Sequence, residues 1–236
     1  MDAIFFDIDD TLYDLAQPYL RAFEAVYAGT LGIVPEELFA ASRVHSDERF
    51  GEMSTGKITL DEYHADRVQR TFADFGVELS FDEAIRFQRT YEGFQKEIFV
   101  TPVVEAMLDA CAASGVPMGI ISNGTSEGQG RKVRTLGLTR WFAPEHIIIS
   151  GEVGLRKPDP AIFQLAAERL GVRPQECWYV GDTFGNDIVP AAEAGWHAVW
   201  LNRRGHAVPE APVPDAIVST EEEMAELVEE LLTRGA

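Results

Sequence analysis

The sequence predicts an α/β protein, a doubly wound and mainly parallel sheet with an α-helical domain inserted into it. Three observations carry this expectation. Short apolar runs rich in β-forming residues stop abruptly at small or polar residues. Amphipathic helical patterns alternate with them, as β-α-β units require. From about Asp14 to Ile98 the alternation fails and only helical patterns remain.

The chain opens on Ala3-Ile4-Phe5-Phe6, a run without helical period that reads as a buried strand ending near Asp7. Four helical stretches follow, Leu15 to Tyr27, Pro35 to Arg49, Leu60 to Phe75 and Phe81 to Phe94, with breakers at Gly29, Gly32, Gly51, Gly56 and Gly76. They predict a helical bundle over 14–98, so the α/β core is expected to comprise 1–13 and 99–236. Thr101-Pro102 has the form of an N-cap followed by proline at the first helical position. Val104, Met107, Leu108 and Cys111 then share a face, and Gly115 ends the helix. Strands are expected at Met118 to Ser122, Ile147 to Ser150, Trp178 to Val180 and Ala198 to Leu201. Asp159-Pro160 starts a helix whose stripe is Ile162, Leu165, Ala166 and Leu170, stopped by Gly171. Pro209 to Pro214 reads as a loop before a last short strand. Thr220 with Glu223 then resembles a capping box for a helix with Met224, Leu227, Val228, Leu231 and Leu232 on its apolar face.

Composition narrows the function. The chain has 236 residues, 20 Lys plus Arg against 39 Asp plus Glu, and a net charge of −19. So acidic a surface repels nucleic acid and anionic membranes, and neither is an expected partner. An anionic substrate would need a local reversal of the field. Two cysteines, Cys111 and Cys177, make neither a disulfide framework nor a zinc site, and both read as core residues. No apolar run approaches the ~20 residues of a membrane helix. The run Ala3 to Phe6 meets Asp7, Asp9 and Asp10 and does not read as a secretory leader, so the expected setting is cytoplasmic and reducing. The sequence leaves a homodimer open.

Four polar clusters follow predicted strands, where ligands bind in parallel sheets. Asp7-Ile8-Asp9-Asp10-Thr11 crowds carboxylates that repel one another; in isolation it also reads as a turn with capping acids. A divalent cation would relieve the repulsion, and an all-oxygen donor set suits Mg²⁺. Gly181-Asp182-Thr183-Phe184-Gly185-Asn186-Asp187 would complete the ligands, although alone it reads as a glycine-rich turn. Ser122-Asn123-Gly124-Thr125 offers a hydroxyl and backbone N–H groups for a phosphate oxygen, a weak signal by itself. Lys157, before Pro158, is one of the few cations among these clusters. Elsewhere such a lysine is usually solvated.

Taken in order, these clusters resemble the four motifs of the haloacid dehalogenase-like (HAD) superfamily, and the resemblance covers nearly the whole chain. It rests on Phe5-Phe6-Asp7-Ile8-Asp9-Asp10-Thr11-Leu12, Ser122-Asn123-Gly124, Lys157-Pro158, and Gly181-Asp182 with Asn186-Asp187. It implies a Rossmann-like core with a helical cap after the first motif. It also implies Mg²⁺-dependent hydrolysis of a small phosphomonoester through an aspartyl-phosphate. Asp7 would be the nucleophile. Asp9 would be the general acid and base, its carbonyl on the metal and its side chain free to carry a proton. Asp182 and Asp187 would join Asp7 and Asp9 at the metal. Ser122 and Lys157, with Asn123, Gly124 and Thr11, would bind the phosphoryl group, and Thr11 would also orient the loop. Asp10 is left to helix capping.

The dehalogenases that named the superfamily lack an acid at the position of Asp9, because halide needs no proton. Asp9 therefore favours a phosphatase. A phosphomutase uses the same groups. A phospho-receiver domain fits the chain length and the Asp7/Asp9 spacing poorly, and an idle scaffold would not need all four motifs. Arg43, Arg49, Lys57 and the loop from Met53 to Ile58 are candidate substrate contacts, as are Tyr13 and Thr125. For the arginines and the lysine, a solvated helix surface is an equal reading. His45, His64, His146, His197 and His206 show no paired ligand spacing.

Overall fold

The computed structural model describes residues 1–234, apart from the side chains of Asp47, Phe50, Ser54 and Arg234. Gly235 and Ala236, the end of the expected core segment, lie outside the described residues, as does the side chain of Ser54 in the loop of candidate contacts. The chain forms two compact units. One is Leu15–Ile98, and the other combines the segment ending at Asp14 with the one beginning at Phe99.

The discontinuous unit is built on six parallel strands, β1 (Ala3–Phe6), β2 (Met118–Ser122), β3 (Ile147–Ile149), β4 (Cys177–Gly181), β5 (His197–Leu201) and β6 (Ala216–Val218). Their order is β3-β2-β1-β4-β5-β6. The order reverses beside β1, which pairs with β2 on one side and β4 on the other. A crevice opens at such a switch point, beyond the carboxyl ends of the strands. Both faces of β1 are covered. Phe5 joins a core with Ile162, Phe163 and Ala166 of α8 (Ala161–Leu170), while Phe6 meets the ring of Phe142 edge-on. β1 can therefore be apolar throughout.

The remaining helices of this unit are α5 (Pro102–Ser114), α6 (Ser126–Thr135), α7 (Ser150–Val153), α9 (Val189–Glu193) and α10 (Glu221–Arg234). α5 starts as its sequence dictates, with Thr101 Oγ1 accepting from the Val104 N–H and Gly115 closing it at φ 77°. At α10 the Glu223 N–H donates to Thr220, but the Glu223 carboxylate turns to the N–H of Ser219, so the reciprocal half of the box is displaced by one residue. α6 has no counterpart in the sequence reading.

The continuous unit holds α1 (Ala16–Tyr27), α2 (Pro35–Ser54), α3 (Leu60–Ala73) and α4 (Phe81–Phe94). Capping boxes start α3 (Thr59 with Glu62) and α4 (Ser80 with Glu83). Tyr19, Phe23, Phe72 and Phe87 form its ring-packed core. Gly51 does not break α2, which runs on to Ser54; one interior glycine costs only about 1 kcal/mol. Among the described residues no helix is long and apolar enough to cross a membrane.

Candidate active site

The β1–β4 register sets the site. Phe6 lies opposite Val180, and the Asp7 N–H still donates to the Val180 carbonyl at 2.9 Å. Asp7 is thereby held beside Gly181 and the turn that follows it. A side chain at position 181 would come within 2.5 Å of the Asp187 carboxyl carbon, so glycine is what admits that acid. The Thr183 N–H donates to Asp187 Oδ2 at 2.8 Å, and the Trp200 indole N–H donates to the Asp182 carbonyl at 2.7 Å, fixing the turn at both ends. Asp7, Asp182 and Asp187 each offer a carboxylate oxygen, all within 4.8 Å of one another.

Lys157 is the local counter-charge. Its buried Nζ donates to Asp7 Oδ1 at 2.9 Å, Asp187 Oδ1 at 2.5 Å and the Tyr179 hydroxyl at 2.8 Å. Tyr179 in turn donates to the Ile121 carbonyl at 2.8 Å. Burial alone would strip the proton from Lys157, but the Asp187 and Asp7 charges outweigh it and hold the ammonium above its ordinary range. The acids remain overcrowded. Burial, with the charges of Asp187 and Asp9, pushes Asp7 up to about 6 against the pull of Lys157. Burial and the charges of Asp187 and Asp7 push Asp182 well above the carboxylate range.

One lysine does not neutralise three clustered acids. Two buried hydroxyls of the first and second clusters, Thr11 Oγ1 and Ser122 Oγ, have no hydrogen-bond partner among the described residues. Hard oxygen donors of net negative charge fit a small divalent cation, and unpaired hydroxyls fit an oxyanion's oxygens.

Asn123 and Gly124 behave differently from the phosphate contacts expected of them. The Asn123 carboxamide donates to the Lys157 carbonyl at 2.8 Å and accepts the Lys157 N–H at 2.9 Å, so this side chain aligns the lysine. The Gly124 N–H donates to Ser150 Oγ at 3.0 Å and is not free for phosphate. A side chain at Gly124 would collide with Gln129, 2.7 Å away.

Asp9 stands apart from the group of three acids. Both Lys132 contacts, to Oδ1 and Oδ2, are 2.6 Å. The Tyr13 hydroxyl donates to Oδ1 at 2.5 Å and the Gln129 amide to Oδ2 at 2.8 Å. Burial pushes the Asp9 carboxyl up, but the Lys132 charge and these hydrogen bonds together outweigh it and hold it at about 2. Its side chain, expected to be free, is fully engaged. Gln129 and Lys132 were missed because α6 was missed. Asp10 does not cap a helix. It sits at φ 59°, makes a two-pronged ion pair with Arg204, and α1 begins only at Ala16. Thr125 caps α6 by accepting from the Gly128 N–H. In the helical unit Arg49 is paired with Glu52 and Asp66, while Lys57 is exposed.

The family profile of the haloacid dehalogenase-like hydrolases matches residues 1–195. The chain belongs to that family. It is 29% identical over 241 aligned residues, 97% of each chain, to glyceraldehyde 3-phosphate phosphatase of Methanopyrus kandleri. Two solved structures are each 29% identical to it. A HAD phosphatase from Thermococcus onnurineus has a TM-score of 0.59, with 97% of this chain and 98% of that one covered. A 2-haloacid dehalogenase from Pseudomonas syringae has a TM-score of 0.58, with both chains covered in full. Overall likeness to a HAD hydrolase thus reaches both activities, and the choice between them rests on individual side chains.

Proposed function

We propose that this HAD hydrolase is a Mg²⁺-dependent phosphatase that cleaves a small-molecule phosphomonoester through an aspartyl-phosphate on Asp7. One observation carries the reading. The site has two separate carboxylate systems, a lysine-braced cluster of Asp7, Asp182 and Asp187 and a distinct Asp9 carboxylate two residues beyond Asp7. Halide displacement needs only the nucleophile. Expelling an alkoxide also needs a proton.

Asp7, Asp182 and Asp187, with the Asp9 carbonyl, would hold Mg²⁺, which when bound offsets the charge of the phosphoryl group. An oxygen of Asp7 attacks phosphorus as the bond to the leaving oxygen breaks. Asp9, ionised at rest beside Lys132, takes the remaining acidic proton of a monoanionic phosphomonoester and passes it to that leaving oxygen. Asp9 then takes a proton from water, whose oxygen attacks phosphorus. The bond to Asp7 breaks, and phosphate leaves. Lys157 and the Ser122 and Thr11 hydroxyls steady the phosphoryl oxygens, and Asn123 keeps Lys157 aligned. The buried free thiols Cys111 and Cys177 suit a reducing, cytoplasmic setting.

The test is inorganic phosphate release from a panel of triose and sugar phosphates, phosphoglycolate and nucleoside 5′-monophosphates, with Mg²⁺ and with a chelator. Chloride release from a 2-haloacid is assayed alongside. Phosphate release that stops with chelator supports the proposal. Chloride release insensitive to chelator, with no phosphate released, would replace it with a dehalogenase.

A further inference from the structure

Asp9 lies in the same five-residue loop as Asp7, two residues beyond it. A carboxylate two residues from an acid that would hold a divalent cation is a ready extra ligand. Yet its oxygens do not join the pocket formed by Asp7, Asp182 and Asp187. Three donors draw them the other way. Lys132 Nζ straddles both oxygens at 2.6 Å, the Gln129 amide takes Oδ2 at 2.8 Å, and the Tyr13 hydroxyl takes Oδ1 at 2.5 Å. Gln129 and Tyr13 are buried, so this is a built interior contact. The Gln129 amide also donates to the Asn123 carbonyl at 2.8 Å, tying the latch to the turn that aligns Lys157.

We propose that Lys132 is a positioning residue, assisted by Gln129, that holds the Asp9 carboxylate off the cation. The inference rests on the phosphatase reading, since only there is a carboxylate free of the metal needed for proton transfer. Without the latch, Asp9 would swing onto the cation. The protein would then bind the ion more tightly and lose its proton carrier. Lys132 thus trades cation affinity for turnover, a role distinct from the phosphate-side role of Lys157.

The test measures Mg²⁺ binding by calorimetry without substrate, on wild type, Lys132→Met, Lys132→Arg, Asp9→Asn and the Lys132→Met/Asp9→Asn double variant. Lys132→Met is expected to bind Mg²⁺ about tenfold more tightly through the added carboxylate, and Lys132→Arg to stay near wild type. Removing a positive charge would tighten binding by itself, so the double variant decides. The gain from Lys132→Met must vanish when Asp9 is Asn. An equal gain in both backgrounds, or none in either, overturns the proposal. Should Lys132→Met fail to fold, Gln129→Met must show the same sign with a smaller factor, again dependent on Asp9, and no Asp9-dependent gain there overturns it equally. In turnover, Lys132→Met should lower kcat on an alkyl phosphate more than on a nitrophenyl phosphate. Absence of phosphatase activity in the wild type would sink the proposed function instead, while the calorimetric cycle would still report on the latch.

Discussion

Lys157 and Asp7, 150 residues apart in sequence, meet at 2.9 Å in the interior of the α/β unit. The same ammonium is 2.5 Å from Asp187, so one cation braces acids from two motifs. Asn123 completes the brace by gripping the Lys157 backbone on both its N–H and its carbonyl. All four motifs are therefore one hydrogen-bonded object and share their energetics.

Replacing Lys157 with Met should therefore do more than remove a phosphate contact. It leaves Asp7 and Asp187 facing each other without counter-charge, and breaking a buried pair in this way costs about 3–5 kcal/mol. Urea unfolding in chelator should show that loss, and saturating Mg²⁺ should recover part of it by supplying charge. A variant as stable as wild type without Mg²⁺ would show that the pair carries little.

Much of the fold is legible because each core strand is a pure apolar run that ends at a polar turn. Ile147 to Ile149 and Met118 to Ser122 stop within a residue of where their composition changes. α6 is hidden because Gly128 and Gly130 and its many charges leave no apolar stripe. Its end signals were present, with Thr125 as the cap, Glu127 in the first turn and Lys132 and Arg134 in the last. The acids are legible as types, but their pairings are not. Asp10 finds Arg204 and Asp9 finds Lys132 through strand order and helix placement, which local sequence does not encode.

The metal-free protein should lose stability as pH rises from about 4 to about 6. Asp7 is raised to about 6 and Asp182 is raised further. In that window the native state keeps protons that the unfolded chain has released, so the slope of stability against pH is negative. Asp9 acts oppositely at lower pH. Held at about 2, it contributes stability that is present above its ordinary value near 4 and lost as pH falls toward 2. Mg²⁺ competes with protons for the three-acid pocket, so its increase in melting temperature should be larger at pH 7.5 than at pH 5. Equal increases at the two pH values would place the ion elsewhere.

Asp7→Asn should abolish turnover, lowering kcat by about 10³-fold or more. Its fold should survive, because the ionised Asp7 carboxylate is a buried, disfavoured charge. In chelator the variant should melt no lower than wild type, and the rise produced by Mg²⁺ should shrink. Circular dichroism melts with and without Mg²⁺ check both. A large drop in melting temperature would mean that the Asp7–Lys157 pair stabilises the fold more than crowding opposes it.

Asp9→Asn separates proton transfer from nucleophilic attack. An alkyl leaving group departs as a strong base and needs its proton, whereas nitrophenolate leaves without one. The variant should lose about 10²–10⁴-fold in kcat on an alkyl phosphate and far less on nitrophenyl phosphate. Asn keeps the size of the side chain, and its one oxygen can still accept from Tyr13 and Lys132, while the Gln129 contact at the other oxygen is lost. Hydrolysis of the aspartyl-phosphate also uses Asp9 as base, so part of the loss should appear with both esters, and a burst of nitrophenolate equal to one turnover should precede the slow phase. Equal losses on the two esters without a burst would assign Asp9 to structure, and the proton would have to come from another group.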